Sequence, residues 1–246
     1  MSEQITDFSR YEFKYVVNTR TARSFEDEIK NFMQYDSFIE ELDEKKYPVR
    51  SLYFDNIGNS KFYEKIDGLK RREKYRLRTY SAHRDGFNDV FFEIKGKQNE
   101  RTYKRRVKVE PAHLEFFENI DSCFELLDLY QGNDIIEGFV AAVQREKLLP
   151  RVLIDYDRRP YVSGFDTYFR ITLDDNLKAI PSHCLHDHNF GSQKKCIAGF
   201  KIIEVKFQRR VPRWFHRLIQ TYEFRRQSIS KYVVGMKTCD LAIDLS

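Results

Sequence analysis

The stretch that decides the fold reads Lys74-Tyr75-Arg76-Leu77-Arg78-Thr79-Tyr80. Successive side chains of a β-strand point to opposite faces, so Lys74, Arg76 and Arg78 share one face and the apolar side chains take the other. Long cations in a row on one strand face fit either a solvated sheet surface or a wall directed at a polyanion. One strand does not decide between them, so the question is whether other strands repeat the pattern.

The composition describes a chain large enough to bury a hydrophobic core. It has 246 residues, including 21 Phe and 15 Tyr, and shows no repeat of solenoid length and no low-complexity linker. We therefore expect a single domain over residues 1–246. The formal charge is only +5, because 43 Lys and Arg are nearly balanced by 38 Asp and Glu. A non-specific nucleic-acid coat normally carries a larger excess, so any cationic site has to be concentrated by the fold.

Cysteine usage and the absence of long apolar runs indicate where the protein works. The four cysteines are scattered without disulfide-like spacing, which fits a reducing compartment. Residues 1–9 are polar and lack the apolar run of a signal peptide. No apolar stretch approaches the roughly 20 residues that span a bilayer. We therefore expect a soluble, cytoplasmic protein.

The two-faced pattern recurs along the chain. In the segment 90–97, Glu93 and Lys95 lie opposite Phe92 and Ile94, and in 102–109 basic residues again alternate with apolar ones. Arg105 interrupts the apolar face of that second segment, which predicts a bulge or an exposed edge. We predict eight strands in all, at about 10–17, 47–55, 74–80, 90–97, 102–109, 151–157, 168–174 and 201–207.

Helices flank these strands and need an apolar surface to cover. Helical spacing predicts helices at 19–34, 60–66, 212–220 and 230–243, with interrupted helices between 111 and 149. If the helices cover the outside of a closed sheet, the charged strand faces line its interior, and about eight strands enclose space for side chains or one slender ligand. We therefore predict an α+β fold with a closed antiparallel eight-stranded β-barrel, a charged interior and helices packed outside. An open antiparallel sheet with one solvated face is the alternative.

A charged interior restricts what the protein can bind. Converging lysines and arginines repel one another and are costly to desolvate unless anions accompany them. Glu12, Glu93 and Glu204 offset only part of that charge, and a chain of phosphates offers oxygens for the remaining cations. A carboxylate among cations is understandable if it holds Mg²⁺ or Mn²⁺ that bridges phosphate oxygens. The residues therefore indicate a metal-dependent enzyme, or a binder, of linear polyphosphates.

Six short motifs in order along the chain resemble a known family. Each motif is weak alone, but together they are similar to the catalytic domain of the vacuolar transporter chaperone (VTC) polyphosphate polymerases, in the triphosphate tunnel metalloenzyme (CYTH-like) superfamily. The similarity covers roughly residues 9–245. The motifs are RYEFKY (10–15), SLYFDN (51–56), YRLR (75–78), FEIK (92–95), IEVK (203–206) and SKYVVG (230–235).

This resemblance implies a tunnel that polymerises the γ-phosphate of ATP into inorganic polyphosphate, with Mn²⁺ or Mg²⁺ as cofactor. Its implied partners are ATP and polyphosphate or pyrophosphate, without nucleic acid; a separate membrane partner and the oligomeric state stay open. Glu204 is implied as the metal ligand and, with Arg76, Arg78 and Lys95, as catalytic. The implied phosphate ligands are Lys14, Arg76, Arg78, Lys95, Lys104, Arg158, Arg170, Lys206 and Lys231.

Two alternative functions remain open on the sequence. Triphosphate hydrolases of the same superfamily carry a Glu-x-Glu-x-Lys strand, and here Arg10 replaces the first glutamate, which favours a phosphate acceptor over an activated water. A non-catalytic polyphosphate or nucleotide sensor would need the same cations. Nucleic-acid binding is disfavoured, because the aromatic side chains lie on the strand faces opposite the cations and are poorly placed to stack bases.

For a few other residues we compared a functional role with a purely structural one. The run His183-Cys184-Leu185-His186-Asp187-His188, with Cys196, matches no zinc spacing, so an ordinary polar loop is favoured. Trp214 and Phe215 are typical of helix anchors. Lys231 follows the capping residue Ser230 in a first helical turn, where a cation opposes the helix dipole, and this indicates a nearby anion.

Overall fold

A computed structural model describes residues 11–80, 89–99, 101–186 and 191–244. The alternation of charged and apolar residues is realised as strands of one antiparallel sheet. The strands are β1 (Tyr11–Asn18), β2 (Met33–Tyr35), β3 (Tyr47–Asp55), β4 (Arg71–Thr79), β5 (Val90–Gln98), β6 (Arg101–Val109), β7 (Leu149–Ser163), β8 (Arg170–Pro181), β9 (Lys194–Lys195) and β10 (Phe200–Phe207).

Helices fill most of the connections between these strands. Asparagine side chains cap two of them: Asn18 accepts from the amide of Thr21, and Asn133 accepts from that of Ile135. The helices are α1 (Thr19–Ile29), α2 (Ser37–Glu40), α3 (Ser60–Ile66), α4 (Leu114–Glu118), α5 (Glu125–Leu129), α6 (Asp134–Glu146), α7 (Arg213–Thr221) and α8 (Lys231–Thr238), with short 3₁₀ helices at Pro111–His113 and Ile120–Ser122.

Within the described ranges the sheet is strongly curled but is not closed by hydrogen bonds, so the α+β fold is confirmed and the predicted closed eight-stranded barrel is not. Its order is β1-β10-β8-β7-β3-β4-β5-β6, with β2 added to β7 and β9 to β8, and among the described residues β1 and β6 form no ladder with each other. The curl is nevertheless strong, because Lys95 Nζ of β5 lies 3.2 Å from Glu12 Oε2 of β1, near the opposite edge. The sheet therefore has a concave and a convex face.

Most predicted elements are confirmed, and the differences have local causes. The helix predicted over 19–34 ends at Ile29, because Met33 reaches the same core from β2 and pairs with Ser163. A register shift between β7 and β8 places one extra residue in β8 near Asn176, whose φ is 53°, so the alternation inverts there and β8 continues to Pro181 beyond the predicted end at 174. Of the two alternatives predicted at Arg105, the edge is confirmed: β6 is an edge strand with continuous register there, and the Arg105 guanidinium pairs with Asp134 of α6.

The convex face is apolar and covered by helices, as the sequence predicts. Helices α1 and α7 cover β1, β8 and β10 with a cluster that includes Phe25, Phe169 and Phe215. Helices α4 to α6 cover β3 to β6, where Phe92 lies 4.4 Å from Phe139 between ring centroids. These layers leave the opposite strand faces turned inward.

Helix α8 packs on the concave face, which the sequence did not indicate. Tyr232, Val233 and Met236 contact the inward side chains of β7 and β8, among them Ile154 and Ala179. The helix therefore fills one end of the concave face with apolar contacts and leaves the charged end open.

The approach of α8 to the sheet requires a glycine. A Cβ on Gly235 would lie 2.7 Å from Ile154 Cδ1, so we expect Gly235→Ala to lower the free energy of unfolding by about 1–3 kcal/mol through overpacking. Gly138→Ala in α6 is the control, because no atom lies within 4 Å of its Cβ position, and it should stabilise by about 0.5–1 kcal/mol. Urea unfolding of both variants measures the difference, and equal effects would contradict this packing.

Candidate functional site

A buried carboxylate holds α8 in place at the concave face. Asp55, at the end of β3, accepts hydrogen bonds from the amides of Lys61 (2.9 Å) and Phe62 (3.1 Å) in α3 and from the hydroxyl of Tyr232 in α8. One side chain thus joins the sheet to two helices. Because Tyr232 is fixed, its neighbour Lys231 is directed into the concave face.

Lys231 is the centre of a buried ion-pair cluster. Its ammonium lies 2.5 Å from Asp174 Oδ2 and 2.6 Å from Glu204 Oε1. Arg158 binds the same two acids, with two bonds of 2.7 Å to Asp174 and one of 3.1 Å to Glu204. Burial alone would raise the pKa of Glu204, but Lys231, Lys14 and Arg158 outweigh it and hold that pKa well below its ordinary value.

A second cluster lies across β4 and β5. Glu93 is fully buried and accepts from Arg76 Nε at 2.8 Å, while the other Glu93 oxygen lies 3.4 Å from Lys104 Nζ. Arg76 also donates to the hydroxyl of Tyr53 at 2.9 Å. Burial would raise the pKa of Glu93, but the arginines of β4 keep it far below its ordinary value. The acid is therefore ionised, and Arg76 is its principal partner.

Glu12 connects the Lys231 cluster to Lys95 of β5, across the edges of the sheet. Its carboxylate lies 3.0 Å from Lys14 Nζ and 3.2 Å from Lys95 Nζ. Lys14 also lies 3.5 Å from Glu204 Oε1. Cations and acids of β1, β5 and β10 therefore form one electrostatic network on the concave face.

Three further cations on this face have no carboxylate partner within 4 Å among the described residues. Arg78 donates only to hydroxyls, those of Ser51 (3.0 Å) and Tyr156 (3.3 Å), and Lys74 donates to Ser230 Oγ at 2.8 Å. Burial lowers the pKa of Lys74 well below its ordinary value and that of Lys206 to about 8. Buried cations without acids are costly to maintain, so this is where an anion is expected to bind.

Most of the residues implied by the resemblance meet on the concave face. Arg170 is the exception in position: it faces Lys206 across the ladder, but its half-exposed side chain lies at the rim, 3.7 Å from Asp36. Arg10 and His188 lie outside the described residues, and His183 Nδ1 donates to the carbonyl of Pro150. The residues brought together are Lys14, Arg76, Arg78, Lys95, Lys104, Arg158, Lys206, Lys231 and Glu204.

Several members of the site were not singled out as ligands from the sequence. Asp174 and Tyr53 join the face because β8 places Asp174 opposite Arg158 and β3 places Tyr53 opposite Arg76. Lys74 belongs to the same basic strand face as Arg76, and that alternation was the signal for it. The pairing partners of Asp174 and Tyr53 are not visible in the sequence, because strand register is a property of the folded sheet.

The acids of the site fit a metal that is shared with a phosphate ligand. Across the described residues, no three or more His, Cys, Asp or Glu side chains are grouped to hold a metal ion. The pKa of Glu12, like that of Glu204, is held well below its ordinary value, because Lys95 and Lys14 outweigh the effect of burial. Ionised carboxylates suit Mg²⁺ or Mn²⁺, and Mg²⁺ usually binds one or two of them together with substrate phosphates. The protein alone supplies only part of such a coordination shell.

None of the helices in the described ranges combines the length and hydrophobicity that crossing a membrane requires.

Comparisons with known proteins identify the family and support the fold. A family model, the VTC domain, matches residues 9–239. A proposed adenylyl cyclase from Hippeastrum, described as having a dominant triphosphatase activity, aligns with a TM-score of 0.51 and 14% identity over 93% of this chain and 97% of its own. A proposed adenylate cyclase from Bacillus halodurans aligns with a TM-score of 0.50 and 11% identity over 92% and 94%. These two structures share the fold. A search of curated proteins gave no match.

Proposed function

The chain belongs to the VTC domain family, and from this we propose that it is a metal-dependent phosphotransferase that makes inorganic polyphosphate from the γ-phosphate of ATP. The reaction takes place on the concave face of the sheet. Nucleotide and polyphosphate are both linear polyanions, so the same row of cations serves donor and acceptor.

The observation that carries this proposal is the excess of cations on the concave face. Lys74, Arg78 and Lys206 have no carboxylate within 4 Å in the described part of the chain, whereas neighbouring cations are already matched by Glu12, Glu93, Glu204 and Asp174. If these three side chains served only the stability of the fold, we would expect each to be paired with a carboxylate or exposed to solvent. A triphosphate neutralises them, since each phosphate offers several oxygens to lysine and arginine.

The side chains act by position and charge. Phosphoryl transfer needs little covalent help from a protein, and most of the acceleration comes from alignment and neutralisation of the transferring group. Arg76, Arg78 and Lys95 hold the transferring phosphate. The acceptor is the ionised end of a phosphate chain and therefore needs no general base. Flanking phosphates are bound by Lys14, Lys104, Arg158, Arg170, Lys206 and Lys231.

Glu204, assisted by Glu12, would hold the divalent metal. When bound, Mn²⁺ or Mg²⁺ supplies charge neutralisation across neighbouring phosphates. Since both carboxylates already contact ammonium groups, we expect metal binding to depend on the phosphates that occupy those ammonium groups instead.

This dependence is measurable by isothermal titration calorimetry with Mn²⁺. We expect weak or undetectable Mn²⁺ binding to the protein alone. We expect clear Mn²⁺ binding to the protein saturated with a non-hydrolysable ATP analogue, in excess of the Mn²⁺ that the free analogue binds in a titration without protein. Glu204→Gln should lose the added affinity, whereas Glu115→Gln, on the convex side in α4, should keep it. Equally tight Mn²⁺ binding without any phosphate ligand would contradict a shared site.

Hydrolysis is the second candidate, because Glu12 and Glu204 lie on adjacent strands, and paired carboxylates can hold metal and water. Incubation with ATP and Mn²⁺ separates the functions. Long phosphate chains with ADP support the polymerase; free phosphate without chains supports a hydrolase. No turnover, with stabilisation of about 2.7 kcal/mol at 100 times the Kd of the triphosphate, would indicate a sensor and contradict both enzymes.

A further inference from the structure

An aromatic pocket lies at the open end of the concave face. It has a volume of about 180 Å³ and is lined by Asp36, Phe38, Tyr47, Tyr80 and Pro160. The Tyr47 ring meets those of Phe38 and Tyr80 edge to face, with centroids 5.1 and 5.7 Å apart. Of the five residues only Asp36 is charged, so this pocket differs in chemistry from the cationic surface beside it.

The pocket is continuous with the phosphate-binding surface. Tyr47 is the ladder partner of Arg158, and Tyr80, which directly follows β4 and lies two residues after Arg78, contacts the Tyr47 ring. At the rim, Asp36 lies 3.7 Å from Arg170. A nucleotide whose phosphates contact Arg78, Arg158 or Arg170 therefore places its nucleoside end at the aromatic rings.

The wall that carries Phe38 is held firmly, although the ring itself is 59% exposed. The amide of Asp36 donates to the carbonyl of Pro160, and Arg159 of β7 donates to the carbonyls of Lys45 and Glu44 at the far end of the segment. An exposed aromatic ring on an anchored backbone suits stacking by a planar ligand, because every base has a π-face.

We infer that this pocket binds the nucleobase of the nucleoside triphosphate, and that it selects a base with an exocyclic amino group, adenine in the case of ATP. Phe38, Tyr47 and Tyr80 supply ring contacts. Asp36 supplies an acceptor: one oxygen accepts from the amide of Phe38 at 3.1 Å, and the other lies at the rim, 3.7 Å from Arg170 Nη1, where it has room for a second donor. Uracil lacks the amino group that this carboxylate would accept from. The inference rests on the proposed function only for the position of the phosphates.

The test compares ligands with and without a base. Equilibrium binding of ATP, UTP and inorganic tripolyphosphate is measured for the wild type, Phe38→Ala, Asp36→Asn and the control Phe124→Ala, which removes an exposed ring next to α5 on the convex side. We expect Phe38→Ala to weaken ATP binding roughly 5- to 100-fold and to leave tripolyphosphate within about twofold. Asp36→Asn should reduce the preference for ATP over UTP, and Phe124→Ala should change no affinity.

The outcomes separate this pocket from the phosphate site. If Phe38→Ala weakens the binding of ATP and of tripolyphosphate equally, or changes neither affinity, the assignment of the pocket to the base is wrong and the phosphate site is unaffected. If the wild type prefers UTP, selection by Asp36 is wrong. If tripolyphosphate fails to bind the wild type, the phosphate site fails and the inference fails with it.

Discussion

Replacing Arg78 with methionine should lower the kcat/KM of phosphate-chain synthesis by roughly 10²–10³-fold and change the free energy of unfolding by no more than about 1 kcal/mol. The guanidinium is buried, and its hydrogen bonds to side chains in the described ranges go to the hydroxyls of Ser51 and Tyr156. Its removal therefore leaves no acid unpaired. The charged form of Arg76 is also stabilised, because the repulsion between the two guanidinium groups disappears. The variant should thus separate activity from stability.

Two measurements check this expectation. Product formation from ATP and Mn²⁺ gives the activity, and urea unfolding gives the stability. Arg23→Met, an exposed position on α1, is the matched control and should alter neither. An Arg78→Met protein that is fully active, or that loses several kcal/mol, would show that this arginine has a structural role instead.

Replacing Arg76 with methionine, two residues earlier on the same strand, should lower the free energy of unfolding strongly, in contrast to Arg78→Met. Glu93 is fully buried and has Arg76 as its closest partner, with Lys104 remaining at 3.4 Å. Loss of one partner from a buried ion pair typically costs about 3–5 kcal/mol. We therefore expect a large fall in the urea midpoint, together with loss of activity.

A second substitution tests that explanation. In the double variant Arg76→Met/Glu93→Gln the unpaired charge is gone, so most of the lost stability should return while activity stays low. Since the two residues are in contact, their effects should be strongly non-additive. Additive losses would mean that Arg76 stabilises the sheet by other means than its pair with Glu93.

The contrast between Arg76 and Arg78 marks the limit of what the sequence could reveal. Alternation along β4 was enough to put both side chains on one face, and that prediction is confirmed by their shared position. Their different partners come from β5, where Glu93 stands opposite Arg76 and Phe91 opposite Arg78. Strand register arises from the turns and twist of the whole sheet, so it could not be read from either strand alone.

For the fold, too, the local elements were predictable from the sequence and their long-range arrangement was not. The bounds of β3 and α3 and the helix-covered apolar face follow from local patterns. Closure of the barrel does not, because it depends on whether the edge strands β1 and β6 come within hydrogen-bonding distance after the sheet has curled. The side on which α8 packs was also hidden, since an apolar helix face fits either side of a sheet, and the concave side is identified only in the folded protein, by the contacts of Tyr232 and Met236 and the close approach of Gly235 to Ile154.

The position of α8 has a consequence for the entry of ligands. Because this helix packs its apolar side chains on one end of the concave face, the charged end is left for an approaching ligand. Under the proposed function, nucleotide and phosphate chain therefore approach the cations from that same end.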